Sequence, residues 1–117
     1  MIGQLSGTIS YHSDKFVILD VGGVGYRVNI SLETVKRLKS EHQKLKFWTH
    51  LAVRENALDL YGFLDKNELE FFELLISVSG IGPKSALTIL SLAPPATLEK
   101  AIVGSDAAYL TKVSGIG

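Results

Sequence analysis

Cysteine is absent from these 117 residues, which excludes disulfides and thiolate metal sites. Three scattered histidines, His12, His42 and His50, make a zinc site a poor expectation, and no metal or cofactor is implied. No charge of either sign is in excess, since 12 Lys plus Arg face 12 Asp plus Glu. A nucleic-acid binder usually carries a basic surplus that drives counterion release, so any DNA contact here must be local. The balance is even along the chain, with 8 basic and 7 acidic residues over 1–65 and 4 and 5 over 66–117. No apolar run reaches the roughly 18 residues a membrane-spanning helix requires. The opening Met1-Ile2-Gly3-Gln4-Leu5-Ser6-Gly7 has neither a basic leader nor a long apolar segment, so the expectation is a cytoplasmic, soluble protein with no membrane partner. With 46% hydrophobic and 21% charged residues, the chain is also not intrinsically disordered.

What is present divides near residues 63–66. The first 63 residues show short apolar alternations separated by glycine, Asp-Lys and charged turns, the pattern of β structure. Leu5, Gly7 and Ile9 share one face of a first strand. Asp14-Lys15 turns into a second over 16–21, and Gly22-Gly23 leads into a third over 24–30, where Gly25 suggests a bulge or sharp coiling. Ser31 caps a short helix running through Leu38. Leu45, Phe47, Thr49, Leu51 and Val53 then alternate with Lys44, Lys46, Trp48 and His50 in a long amphipathic strand. Arg54-Glu55-Asn56-Ala57 makes a polar hairpin tip, and Leu58, Leu60 and Tyr61 continue the last strand. Five strands with a helix between the third and fourth have the order of an OB-fold, a pattern nearly shared by SH3-like barrels.

Beyond Gly62 the apolar period lengthens to about 3.6, and the remainder reads as helix. Asp65 is the expected N-cap of a helix with a Leu69, Phe72, Leu75 and Ile76 stripe, stopping at Gly80. Pro83 opens a second helix over Lys84 to Leu92, followed by Pro94-Pro95. Pro95 and Thr97 open a third that ends at Gly104, and Ser105 or Asp106 caps a fourth reaching Val113. The expected fold is therefore α+β and multidomain: a five-stranded OB-fold β-barrel over 1–63 and an all-α domain over 64–117.

The sharpest signal is a repeat. Val78-Ser79-Gly80-Ile81-Gly82 recurs residue for residue, 35 positions on, as Val113-Ser114-Gly115-Ile116-Gly117. Each copy follows a helical apolar pattern, and the first leads into a clean helix start at Pro83-Lys84, so these are tandem helix-hairpin-helix motifs. Glycines flanking an apolar anchor let the backbone turn sharply and approach a ligand with no Cβ in the way. Ile81 and Ile116 would plug the turn inward. Free amides at the next helix start, backed by the helix dipole, form a phosphate site that needs no net positive charge, and Lys84 adds a cation at the rim. A pair of such hairpins could grip both strands of a duplex without reading bases. A single Gly-apolar-Gly triplet is more often a tight αα corner, but duplication with Pro and Lys correctly placed reverses that preference.

Other features are less specific. Lys36, Arg37, Lys39, Lys44 and Lys46 form a basic stretch that reads equally as a nucleic-acid face or a solvated surface, given Glu33 and Glu41 among them. Trp48 and His50 lie on an outward strand face, where a domain or subunit contact is favoured over base stacking. No Walker A lysine loop, no carboxylate cluster suited to metal-dependent cleavage and no Cys or Ser nucleophile in a recognisable setting is present, so no catalytic residue is expected. The readings left by the residues are a structure-selective DNA-binding subunit, the docking part of a DNA repair enzyme, and a protein-interaction module with hairpins as corners.

The stretches Val21-Gly22-Gly23-Val24-Gly25-Tyr26, Thr49-His50-Leu51-Ala52-Val53-Arg54-Glu55, Leu60-Tyr61-Gly62-Phe63 and Gly80-Ile81-Gly82-Pro83-Lys84 closely resemble the RuvA family, the Holliday-junction-binding subunits of bacterial RuvAB branch-migration complexes. The resemblance covers the whole chain. It implies a homotetramer that holds an open four-way DNA junction, with one or two tetramers clasping it while the RuvB ATPase pumps the arms and the RuvC resolvase cuts. It assigns the phosphate-binding hairpins to Ser79, Gly80, Ile81, Gly82 and Lys84, and to Ser114, Gly115, Ile116 and Gly117. It also implies an acidic pin at the tetramer centre on Arg54, Glu55 and Asn56, where carboxylates facing phosphates disfavour linear duplex. Here the second acidic position is Asn56, so four chains would present four Glu55 carboxylates, the contribution of Asp59 being left open. Weaker discrimination against linear duplex is expected. The family's linker and C-terminal motor-binding domain are not among the 117 residues, so the chain reads as a fragment in which the first hairpin dominates binding and coupling to the motor is lost.

Overall fold

The computed structural model describes residues 1–39 and 42–92. Five strands, β1 (Gln4–His12), β2 (Phe16–Val21), β3 (Val24–Asn29), β4 (Lys44–Arg54) and β5 (Ala57–Phe63), close into a barrel in the order β1-β2-β3-β5-β4. Every pairing is antiparallel except β3 with β5, which runs parallel through Val28 opposite Leu60 and Asn29 opposite Tyr61. Asn29 reinforces that short seam by donating from Nδ2 to the Leu60 carbonyl at 3.0 Å. Helix α1 (Leu32–Arg37) lies between β3 and β4 in the chain, so the topology is that of an OB-fold.

The alternation in each strand explains the barrel interior. Ile9, Val17, Leu19, Val28, Ile30, Phe47 and Leu60 are buried in one cluster. Each comes from the inward face of its strand or, for Ile30, from the step into α1. Ser31 caps α1 as expected: its hydroxyl accepts from the Thr34 amide at 3.2 Å. Two glycines permit the closest backbone approaches. A Cβ at Gly7 would collide with the Asp20 carbonyl oxygen, and one at Gly62 with the Val28 side chain. Thr49 ties the N-terminal segment to the barrel, its hydroxyl donating to the Ile2 carbonyl at 2.6 Å while its amide donates to Gly3 at 3.0 Å.

Two expectations about the barrel need correction. Gly25 carries no bulge, since β2 and β3 pair without a break from Phe16 opposite Asn29 to Val21 opposite Val24. The register shift lies in β1, between Ile9 and Tyr11. The burial that the β4 alternation implies also fails at its end, because Val53 is 69% exposed. It stands opposite Leu58, equally exposed, where the β4–β5 ribbon runs past the barrel wall.

The chain divides into two compact units, Met1–Leu69 and Glu70–Gly117. Helix α2 (Lys66–Ile76) crosses that division, and α3 (Pro83–Leu92) follows in the second unit. The Asp65 carbonyl accepts from the Glu68 and Leu69 amides at 3.1 and 3.4 Å, placing Asp65 at the N-cap position. Its carboxylate does not cap the helix but pairs with Arg37 at 3.0 Å. The helix ends at Ile76, four residues before the expected stop at Gly80. Ser77 and Val78 amides fold back to the Leu74 and Leu75 carbonyls at 3.2 and 3.0 Å, tightening the last turn. The third and fourth expected helices, near 95–104 and 105–113, lie outside the described residues.

Candidate nucleic-acid interface

The first repeat copy forms the connection between α2 and α3. Val78 to Ile81 make a β-turn, closed by the Ile81 amide donating to the Val78 carbonyl at 3.1 Å. Gly80 occupies its third position with φ +88°, a conformation that L side chains rarely adopt, which explains glycine there. Ile81 is only 4% exposed, as an anchor should be, while Ser79, Gly80, Gly82 and Lys84 all face solvent. Gly82 differs from Gly80 in kind: its φ is not positive, and a Cβ there would meet nothing within 4 Å. The space beside Gly82 is open, as a closely approaching ligand requires.

The start of α3 completes the site. The Gly82 carbonyl accepts from the Ala86 amide at 3.0 Å, so Gly82 is the N-cap and Pro83 the first helical residue. Pro83 has no amide to leave unsatisfied. Among the described residues, the amides of Gly82, Lys84 and Ser85 have no acceptor, and they lie at the positive end of a 10-residue helix. Lys84 forms no ion pair among the described residues. An end of this kind is suited to anions through backbone donors rather than through net charge. The second copy, Ser114, Gly115, Ile116 and Gly117, lies outside the described residues.

The β4–β5 hairpin carries the other candidate group. Arg54 pairs with Ala57 across a two-residue turn, with Glu55 and Asn56 exposed at its tip. The Arg54 guanidinium is bound to the Asp59 carboxylate, Nη2 to Oδ2, at 2.6 Å. Asp59 is thus neutralised within the hairpin, and Glu55 is the carboxylate at the tip. Behind it, burial and then the Asp59 charge push the Tyr61 phenol above its ordinary pKa, with Arg54 opposing.

Within the basic stretch, Arg37 and Lys46 already have partners. Arg37 Nη1 sits between Asp65 Oδ2 at 3.0 Å and Glu68 Oε1 at 2.9 Å, tying α1 to the start of α2. These hydrogen bonds and charges raise the Arg37 pKa, the bond to Asp65 contributing most. Glu68 moves above its ordinary range as well, because its burial outweighs the pull of Arg37. Lys46 lies 4.4 Å over the Trp48 ring, which makes the half-buried indole an outward-facing partner of that lysine. Charge spacing in a sequence cannot reveal that Arg37 has partners 28 and 31 residues away.

The described residues thus place the chain in the class of proteins that join a five-stranded OB-fold barrel to a helix-hairpin-helix element. Residues 1–62 match the family model of the RuvA N-terminal domain, and residues 72–117 match that of a SAM-like helix-hairpin-helix tandem. The chain belongs to the RuvA family. It is 44% identical over all 117 residues to a protein of Acetivibrio thermocellus, of which it covers 58%. It is 45% identical, again over its whole length, to one of Geobacter sp., covering 59% of it. Both relatives are named Holliday junction branch migration complex subunit RuvA. The chain therefore spans a little under three fifths of these relatives' length. Among the described residues, no helix is long and apolar enough to cross a membrane.

Proposed function

We propose that this chain binds four-way (Holliday) DNA junctions as the non-catalytic subunit of an ATP-dependent branch-migration complex in recombination and repair. The observation that carries the reading is the α2–α3 hairpin, with its buried Ile81, its open space at Gly82 and, at the head of α3, amides that have no acceptor among the described residues. The names of the relatives support the same substrate. In this reading a barrel domain over 1–63 carries the pin residues Arg54, Glu55 and Asn56, and a hairpin domain over 64–117 carries the phosphate contacts. The repeat Ser114-Gly115-Ile116-Gly117 supplies the second hairpin. The working form is a cytoplasmic homotetramer, one or two per junction, acting with the RuvB motor and the RuvC resolvase.

Binding of a labelled four-way junction in excess linear competitor, at two salt concentrations, tests this reading. Junction preference is expected, and it should be lost on combining Lys84→Glu with Gly82→Val while the barrel stays folded. Lys84→Glu alone should reduce the salt slope by about one for each phosphate contact removed. Equal affinity for junction and linear duplex, or an unaffected double variant, would overturn the proposal.

A further inference from the structure

We propose that the outer face of β1, β2 and β3, built on Tyr11, Phe16 and Arg27, is a second nucleic-acid site that takes a single strand by base stacking. It is separate from the α2–α3 hairpin and does not depend on the reading of that element.

The first observation is the bulge. Along β1 the odd positions face inward, ending in the fully buried Ile9, and unbroken alternation would turn Tyr11 inward after it. The register instead steps from Ile9 opposite Leu19 to Tyr11 opposite Ile18, so that Ser10 is the additional residue. The Ser10 hydroxyl secures the step by donating to the Ile18 carbonyl at 3.2 Å. Tyr11 is delivered to the outside, where it is 51% exposed. Bulges occur at sheet edges, at barrel rims and beside active sites, where they re-aim a side chain, and for the core alone this one forgoes the burial of a ring.

The second observation is what the ring meets outside. Tyr11 and Phe16 are 5.9 Å apart and tilted by 39°. The Arg27 guanidinium lies 3.9 Å from the Phe16 centroid, and Ile18 pairs with Arg27 on β3 as it does with Tyr11 on β1. The row Tyr11, Ile18, Arg27 thus crosses three strands, which at about 4.8 Å per strand spans roughly 10 Å. Among the described residues Arg27 has no carboxylate partner. The outward Asp20, farther along β2, is committed to the Gly23 amide at 2.8 Å. Lys15 stands exposed in the β1–β2 turn beside Asp14.

These groups fit a single strand better than a duplex. Unpaired bases present faces that stack on Tyr11 and on the guanidinium plane of Arg27, and the linking phosphates are the natural partners of Arg27 and Lys15. Stacking on Phe16 already fixes Arg27, so little side-chain freedom remains to be lost on binding. A paired duplex shows no base faces along its length.

The test is fluorescence anisotropy of a labelled 12-nucleotide oligothymidine with the 117-residue chain, alongside ultraviolet crosslinking with adducts mapped by mass spectrometry. Tyr11→Ala should weaken oligothymidine binding at least about fivefold, while Tyr11→Phe, which keeps the ring, stays within about twofold. Arg27→Ala should weaken it comparably. Lys84→Glu should leave oligothymidine binding unchanged while weakening the junction, so failure of this site and failure of the hairpin reading separate. Crosslinks on the unaltered chain should fall on Tyr11 or Phe16, a result independent of any variant's folding. No oligothymidine binding, wild-type affinity in Tyr11→Ala and Arg27→Ala, equal loss in Lys84→Glu, or crosslinks confined to other elements would overturn the proposal.

Discussion

Replacing Gly80 and Gly82 one at a time should separate stability from binding within a single turn. Gly80 has φ +88° and open space around a prospective Cβ, so Gly80→Ala meets no atom and suffers only from the backbone conformation. A left-handed non-glycine residue costs about 1–2 kcal/mol. In a domain of 60–100 residues each kcal/mol moves Tm by about 4–8 °C, so the helical unit should melt roughly 4–16 °C lower. Gly82→Ala faces no such penalty, since φ there is not positive. An N-cap alanine is poorer than glycine, but reduced freedom in the unfolded chain offsets this by about 0.4–1 kcal/mol, leaving stability nearly unchanged. Its new methyl occupies the space through which a phosphate would reach the α3 amides. Thermal melting followed by circular dichroism, with junction binding on the same samples, gives both readouts. The reasoning fails if Gly80→Ala melts with the unaltered chain, or if Gly82→Ala and the larger Gly82→Val bind the junction normally.

At the barrel, Gly7→Ala must displace backbone at Asp20, with no flexible side chain to yield, and should cost about 3 kcal/mol or more in urea titration. Glu68 has its folded pKa raised by burial, so this group favours the folded state most below the ordinary glutamate value and loses that contribution as pH rises through the raised value. Glu68→Gln should abolish this dependence in that window, leaving stability at neutral pH within about 0.5 kcal/mol because the amide oxygen still accepts from Arg37; an unchanged acid-side profile in pH-dependent melts would contradict it. Asn56→Asp places a second carboxylate at the hairpin tip and should sharpen preference for four-way junction over linear duplex in competition binding. Asn56 does not have a positive φ, so the change brings no backbone penalty, and an unaltered preference would remove the pin from the mechanism.

The barrel was legible because each inward residue sits in a local alternation that a reader can follow: Leu5 and Ile9, Val17 and Leu19, Phe47 and Thr49. The choice between OB and SH3-like closure was not, because it rests on the parallel seam of Val28 with Leu60, a pairing between positions 32 residues apart. The hairpin was legible through duplication, which marks as a candidate site a turn that one copy would leave unremarked. Tyr11 escaped because a bulge breaks the very periodicity used to assign faces, and serine at position 10 carries no signal for it. Val53 escaped for a related reason. Its period is intact, but the strand has run past the barrel, so its inward side no longer has an interior to face.

Neutrality takes on a specific meaning once each arginine is followed to its partner. The chain has three, and Arg37 and Arg54 are held by Asp65, Glu68 and Asp59, while Arg27 lies on Phe16. Guanidinium groups are strong bidentate ligands for phosphate, and intrachain pairing already occupies two of the three. In the proposed reading a duplex arm at the α2–α3 hairpin meets instead neutral amides and, within the described turn, the cation of Lys84. Backbone donors hold a phosphate only where the chain brings it within hydrogen-bond distance, which makes recognition depend on the spacing of strands and only weakly on their total charge. The Arg54–Asp59 pair acts in the same sense at the hairpin tip: by cancelling its own charges it leaves Glu55 as an uncompensated negative point. In the proposed reading, amide sites that attract a duplex arm and a tip that repels it together favour a branched arrangement of phosphates over a continuous one, which a uniformly basic surface of the same size could not do.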